Sequence, residues 1–160
     1  MAKPTEHAAL ICAILTVIAA LGAVAAIYWK QPLAVIIAAI PAAAYELYRT
    51  EGFTTKLASA GVLAVLVAEI VLIVGKIELN IARFVGKYVG SMPVVDAKLA
   101  GPVIIGLLAV MLVRRTAGIY TKWLAVVLFG AAVALFYTLD PALLSKFVQP
   151  ALQEGAKHIR

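Results

Sequence analysis

Five long apolar runs decide what this chain can fold into. They cover residues 8–29, 33–48, 57–75, 99–113 and 119–139. A helix needs roughly 20 apolar residues, with a range of about 17–25, to cross the hydrocarbon core of a bilayer. The first, third and fifth runs reach that length, whereas the second and fourth must use polar flanks or cross where the membrane is thin. The runs are continuous rather than alternating, which favours helices over the strands of a membrane barrel.

The composition supports a membrane protein rather than a soluble one. Of the 160 residues, 64% are hydrophobic, which is well above the apolar share of ordinary soluble domains. A soluble domain of this size would still expose much of its surface to water. We therefore expect an all-α integral membrane protein of about five hydrophobic helices, located in the cell membrane.

The first apolar run could be a cleaved signal peptide or a retained helix. Lys3 precedes it, and the small residues at 23–25 resemble a cleavage site. Its apolar stretch is longer than the usual hydrophobic region of a signal peptide. We therefore interpret residues 1–30 as a unit with a retained N-terminal helix.

Two similar basic turns join the later runs. The segment RTEGFTTK covers residues 49–56, and the segment RTAGIYTK covers residues 115–122, at an offset of 66 residues. A chance match is the alternative, because transmembrane helices resemble one another in composition. We predict two helical hairpins in tandem, in residues 31–97 and 98–160, with both turns on one face. Such a repeat is parallel, unlike the inverted repeats of many transporters.

Each hairpin is followed by a candidate amphipathic segment. After the third run, Ile77, Ile81 and Phe84 fall on one face of a helix. Lys76 and Arg83 fall largely on another face. This pattern is typical of a helix that lies in the membrane interface. We therefore predict an amphipathic connecting helix between the hairpins and an amphipathic tail after the second hairpin.

The basic turns are candidate binding sites for lipid head groups. Cations beside an apolar span lie at the depth of phospholipid phosphates, which are their natural partners. The net charge is +6, and because the charges flank apolar runs we expect anionic lipids as partners, not sequence-specific nucleic acid. The alternative is a positive-inside signal, with both turns cytoplasmic and no specific ligand. The candidate head-group residues are Arg49, Lys56, Arg114, Arg115 and Lys122.

Other side chains with reactive chemistry are sparse. His7 and His158 lie in the polar ends, and Cys12 is the only cysteine. The sequence has no Cys/His spacing typical of metal sites and no phosphate-binding loop or nucleophile motif. We therefore expect no enzymatic activity, no metal and no cofactor. Glu46 and Arg49 lie one helical turn apart, and we interpret them as an ordinary interfacial pair.

Glu69 is the exception, because it lies near the middle of the third run, where an ionisable group is expensive. It could be a proton or cation site, or a carboxylic acid kept neutral by burial. It could also bond to a polar group on a neighbouring helix or subunit. On a helical wheel it points away from a face of small residues that would allow close helix packing. That face comprises Gly61, Ala64, Ala68 and Gly75.

The second hairpin resembles a known family. The stretch LAGPVIIGLLAVMLVRRTAGIYTKWLAVVLFGAAVALFYTL has a Gly-Pro pair opening its first helix, a basic turn with glycine, and FGAAVALF in its second helix. It is similar to the hairpin pilins of conjugative type IV secretion systems, and the tandem repeat would extend the resemblance to both hairpins. The resemblance implies a filament subunit with lipid between copies. The extra first helix and the second hairpin depart from the family pattern.

Three functions are compatible with the sequence. The first is a structural membrane subunit that assembles with copies of itself, in its most specific form a conjugative-pilus-like extracellular filament that binds phospholipid. The second is a small ion- or proton-conducting membrane protein that uses Glu69. The third is an accessory subunit of a larger membrane complex, because such a subunit needs no chemistry of its own.

Overall fold

The computed structural model describes residues 7–76 and 97–141, and these residues form five α-helices and no strand. The helices are α1 (Ala8–Trp29), α2 (Pro32–Arg49), α3 (Phe53–Val74), α4 (Ala97–Arg115) and α5 (Ile119–Leu139). Four of them, α1, α2, α3 and α5, are long and apolar enough to cross a membrane. The prediction of an all-α membrane protein with five hydrophobic helices is confirmed. The predicted amphipathic connecting helix and C-terminal tail lie outside the described residues.

Short turns separate the first three helices. Lys30 ends α1 in the left-handed conformation, with a φ of 53°. Pro32 then begins α2, at a position where a helix does not need the missing backbone N–H group. Before α3, Gly52 has a φ of 109°, which a residue without a Cβ atom adopts readily. These residues set the tight reversals that keep consecutive helices in contact.

Two of the five helices, α2 and α5, are central, and the other three pack around them. α2 contacts α1, α3 and α5, whereas α5 contacts α1, α2 and α4. Because α3 also packs against α4, the α2–α3 and α4–α5 hairpins lie side by side, and α1 packs along α2 and α5. At the 66-residue offset, the contact of α2 with α5 corresponds to the contact of α4 with α3. This correspondence is compatible with a parallel repeat, and the duplication itself stays a prediction.

A dry apolar layer fills the centre of the bundle. It contains side chains from all four helices of the two hairpins, and there is no room for a water molecule between them. We call this set the central layer, and its largest members are Val35, Leu66, Ile105, Leu128 and Leu135. Large apolar side chains such as Leu21 and Val24 are exposed on the outside. The bundle is therefore apolar inside and outside, as a helical membrane protein requires.

Gly22 lets α1 and α2 pack closely. A Cβ atom added to Gly22 would overlap the Cβ atom of Ala38 and would lie 3.0 Å from the carbonyl oxygen of Ala34. We expect Gly22→Leu to lower the free energy of unfolding by about 1–3 kcal/mol, as overpacking of an interior does. Unfolding by sodium dodecyl sulfate in mixed micelles, followed by circular dichroism, measures this loss.

The matched control is Gly130→Leu on α5. A Cβ atom added to Gly130 has no neighbour within 4 Å in the part of the chain that the structure describes. We expect this variant to keep the stability of the original chain. An equal loss of stability in the two variants would contradict the close packing of α1 on α2.

Candidate functional site

The α2–α3 and α4–α5 turns meet at one end of the bundle. Together they line a pocket of about 120 Å³. Thr50 and Glu51 contribute from the first turn, and Arg115, Thr116 and Thr121 contribute from the second turn and its flanks. The two basic turns therefore share one end of the bundle, as a parallel repeat requires.

The two turns have the same pattern of hydrogen bonds. Thr50 and Thr116 each donate a side-chain hydroxyl to the carbonyl four residues earlier, both at 2.6 Å. Thr55 and Thr121 each donate to the carbonyl of the glycine three residues earlier, at 3.1 Å and 2.6 Å. These hydroxyls bond to backbone groups where one helix ends and the next begins. Equivalent residues thus have equivalent roles in the two turns.

Four of the five predicted head-group cations lie on the surface at this end. Lys56 is exposed beside the first turn, and Arg114, Arg115 and Lys122 are exposed beside the second. We call these four residues the basic end face. Glu51 is the exposed acidic side chain within the two turns, so the face has a net positive charge. Anionic head groups are attracted to such a surface, and a contact with lipid stays a prediction.

Arg49, the fifth predicted cation, does not belong to the basic end face. Its side chain is only 5% exposed. Its guanidinium carbon lies 5.1 Å from the ring centroid of Tyr120 on α5, which is the geometry of a cation–π contact. Because its charge lies inside the bundle, Arg49 is not one of the surface cations, and the prediction that it binds head groups stays a prediction.

Glu46 is buried beside Arg49, so the interpretation as an interfacial pair is corrected. Glu46 is 1% exposed, and Arg49 attracts it electrostatically. The Thr50 hydroxyl lies 3.4 Å from a carboxylate oxygen of Glu46, and the Ser59 hydroxyl of α3 lies 3.4 Å from the Thr50 hydroxyl. We call Glu46, Arg49, Thr50, Ser59 and Tyr120 the polar cluster. It joins α2, α3 and α5 just inside the basic end face.

Glu69 lies on α3, more than four helical turns beyond the end of the helix that adjoins the polar cluster. Its side chain is 1% exposed and packs on Gly101 of α4, where an added Cβ atom would overlap its carboxylate. At 1.5 Å per residue, α3 rises about 24 Å from Phe53 to Glu69 and about 8 Å from Glu69 to Val74. The sequence placed Glu69 near the middle of its run. Because α3 begins at Phe53, the carboxylate is nearer the end opposite the two turns.

The buried charged side chains of the described residues all belong to the first hairpin. At the 66-residue offset, Glu46 corresponds to Leu112 and Glu69 corresponds to Leu135. Both leucines are buried, at 0% and 1% exposure. The second hairpin therefore has apolar side chains at the positions where the first hairpin has its two buried carboxylates.

The small-residue face of α3 is divided between two environments. Gly61 packs against α4, where an added Cβ atom would lie 3.3 Å from Cδ1 of Leu108. Ala64, Ala68 and Gly75 are exposed on the outside of the bundle. No helix within residues 7–76 and 97–141 covers these three residues, and their packing against another helix stays a prediction.

A hydrogen bond that the sequence did not indicate joins α1 to the second hairpin. The indole Nε1 of Trp123 donates to the Thr16 hydroxyl at 3.0 Å. The same hydroxyl donates to the carbonyl of Cys12 at 2.7 Å. In the sequence, the one signal for this contact is Thr16 itself, a polar residue inside the apolar first run.

Function is inferred from the side chains described above. No group of three or more His, Cys, Asp or Glu side chains that could hold a metal ion occurs within residues 7–76 and 97–141. Comparison with protein-family models, with curated proteins and with solved structures finds no match for this chain. The basic end face, the polar cluster, Glu69 and the exposed part of α3 are therefore the features from which function is argued.

Proposed function

We propose that this protein is a structural, self-assembling membrane subunit whose basic end face binds anionic phospholipid. The observation that carries the proposal is the group of four exposed cations at the end of an apolar bundle where its two turns meet. Cations at the depth of head groups pair with lipid phosphates. The dry central layer favours a structural role, because its side chains leave no room for a water molecule between them.

Copies of the chain are proposed to meet at the exposed small residues of α3. Ala64, Ala68 and Gly75 would let a helix of a second copy approach closely, and close van der Waals packing drives helix association in lipid. In its most specific form, the assembly is a conjugative-pilus-like extracellular filament with phospholipid between subunits. The two hairpins with basic turns at the same end support this form.

Electron microscopy of protein extracted gently from its native membrane tests the proposal. We expect filaments or regular rings. Isolated particles of single-chain size would overturn self-assembly. A stable complex with a different protein would instead support an accessory subunit of a larger membrane complex.

A bulky residue on the exposed part of α3 tests the contact between copies. We expect Ala68→Leu to weaken self-association at least tenfold, because the added side chain keeps two helix backbones apart. Size-exclusion chromatography with light scattering in mild detergent measures the size of the assembly. Ala44→Leu is the matched control, since Ala44 is an exposed alanine on α2. An assembly that is unchanged in Ala68→Leu would exclude this face as the contact.

A proton- or cation-binding role for Glu69 is a second candidate. Its carboxyl group is buried between α3 and α4, and ionisable groups in such positions are often functional. If Glu69 conducts, purified protein should dissipate a proton gradient across liposomes, and Glu69→Gln should reduce the flux at least tenfold. Equal flux in the two proteins would contradict this role. The dry central layer favours the structural proposal.

A further inference from the structure

An open groove runs along the outer surface between α4 and α5. It consists of two adjoining cavities of about 320 Å³ and 210 Å³, and both are lined by Val110 and Phe129. One cavity begins near Pro102 and Phe136, and the other ends at Arg114. We call this feature the α4–α5 groove.

The floor of the groove is open because Gly106 has no side chain. A Cβ atom added there would lie 3.8 Å from the nearest ring atom of Phe129. That distance is an ordinary van der Waals contact, so the space above the backbone is free for another apolar group. A larger side chain at this position would fill the groove rather than disturb the interior of the bundle.

The length and polarity of the groove match one chain of a phospholipid. From Pro102 to Arg114 the helix rises about 18 Å, which is slightly more than half of the roughly 30 Å hydrocarbon core. The lining is apolar except at the end formed by Arg114. There the exposed cations Arg115 and Lys122 of the basic end face lie nearby. A ligand for this groove therefore needs an apolar chain and an anionic head.

A second groove on the other side of α5 lacks this charge. It has a volume of about 270 Å³ and lies between α1 and α5, lined by small residues such as Ala20, Ala23 and Gly130. Among the described residues, no cation lines it. The two grooves offer similar space to an acyl chain, so the charge at Arg114 distinguishes them.

We propose that the α4–α5 groove binds one anionic phospholipid, with an acyl chain along the groove and the phosphate on Arg114. The guanidinium presents several N–H donors that suit phosphate oxygens. The inference rests on the lipid binding of the proposed function and assigns it to one site. Arg114 selects the head group, whereas the groove at Gly106 holds the chain of any phospholipid.

Native mass spectrometry of the full chain in detergent tests the site. Phosphatidylglycerol is the anionic probe, and phosphatidylcholine with the same acyl chains is the zwitterionic probe. We expect the original chain to retain one phosphatidylglycerol more tightly than phosphatidylcholine. Arg114→Gln should remove this preference by weakening phosphatidylglycerol about tenfold, the size of effect expected for a hydrogen bond to a charged group. Gly106→Leu should weaken both lipids.

Two control variants keep the test specific. Gly130→Leu fills the uncharged groove between α1 and α5, and Lys30→Gln removes an exposed cation that lies between α1 and α2, away from the two basic turns. Neither should change the affinity for phosphatidylglycerol. Arg114 is exposed, so Arg114→Gln keeps the test decisive if Gly106→Leu fails to fold.

Three results would overturn the proposal. Phosphatidylglycerol affinity could be unchanged in both Arg114→Gln and Gly106→Leu, or it could fall equally in Gly130→Leu. Gly106→Leu could also dissociate an oligomer without changing lipid affinity, which would make the groove a contact between copies. If the preference persists but depends on Lys56 or Lys122, lipid binding by the basic end face stands and this site is wrong. If the original chain shows no preference for phosphatidylglycerol, lipid binding by the basic end face and the site in the α4–α5 groove are both wrong.

Discussion

Replacing Arg49 with methionine is expected to lower the free energy of unfolding by about 1–3 kcal/mol, the cost of removing one partner from a buried polar group. Glu46 is 1% exposed, and the substitution leaves its carboxylate without the attraction of the guanidinium. The contact of Arg49 with the Tyr120 ring is also lost. Methionine keeps much of the length and apolar character of the side chain, so the loss reports mainly on the charge.

Unfolding by sodium dodecyl sulfate in mixed micelles measures the effect of Arg49→Met. Arg115→Met is the matched control, because Arg115 has the equivalent position in the second turn and is exposed. We expect the control to change stability by no more than about 0.5 kcal/mol, as for most surface substitutions. Adding Glu46→Gln to Arg49→Met should recover part of the loss. Equal losses for Arg49→Met and Arg115→Met would contradict the buried pair.

Gly101→Val is expected to destabilise the protein by about 1–3 kcal/mol, in the range of overpacked interiors. Any Cβ atom at this position would occupy the space of the Glu69 carboxylate. Either α3 and α4 move apart, or the carboxylate leaves its buried position. The same denaturation in mixed micelles measures the loss.

A second substitution identifies the cause of the loss in Gly101→Val. Glu69→Ala in the same chain should restore most of the stability, because it removes the atoms that collide, and a double-mutant cycle isolates this coupling. Gly106→Val on the same helix is the control, since its added Cβ atom has only an ordinary contact with Phe129. Failure of Glu69→Ala to relieve Gly101→Val would show that the two residues do not compete for one space.

The helices of this protein are predictable because apolar runs of this length have few alternatives in lipid. The residues at which the helices end are less predictable. α2 extends to Arg49 and α4 to Arg115, beyond the apolar runs that end at residues 48 and 113. Arginine is a good helix former and is favoured at a helix C-terminus. A prediction from the apolar runs alone therefore ends α2 and α4 too early.

The environment of individual charges could not be read from the sequence. Arg49 and Arg115 begin nearly identical turns, yet the first is buried and the second is exposed. Arg49 contacts Tyr120, which belongs to the other hairpin, and a contact between hairpins is not visible in the sequence of either turn. A helical wheel likewise predicts the direction of the Glu69 side chain but not the helix that it contacts. The contact is with Gly101, which has no side chain to mark it in the sequence.

The composition of α2 has a consequence for the biogenesis of the protein. Its mean hydropathy of 1.2 is the lowest of the four candidate spans, and it carries both Glu46 and Arg49. Charged side chains within a span are rare and face the interior of a bundle, and for Arg49 that interior includes α5. Tyr120, which contacts Arg49, lies on α5. The ribosome therefore releases α2 before it has synthesised the segment that contains Tyr120. We therefore expect α2 to be less stably integrated in a chain arrested after α3 than in the full chain.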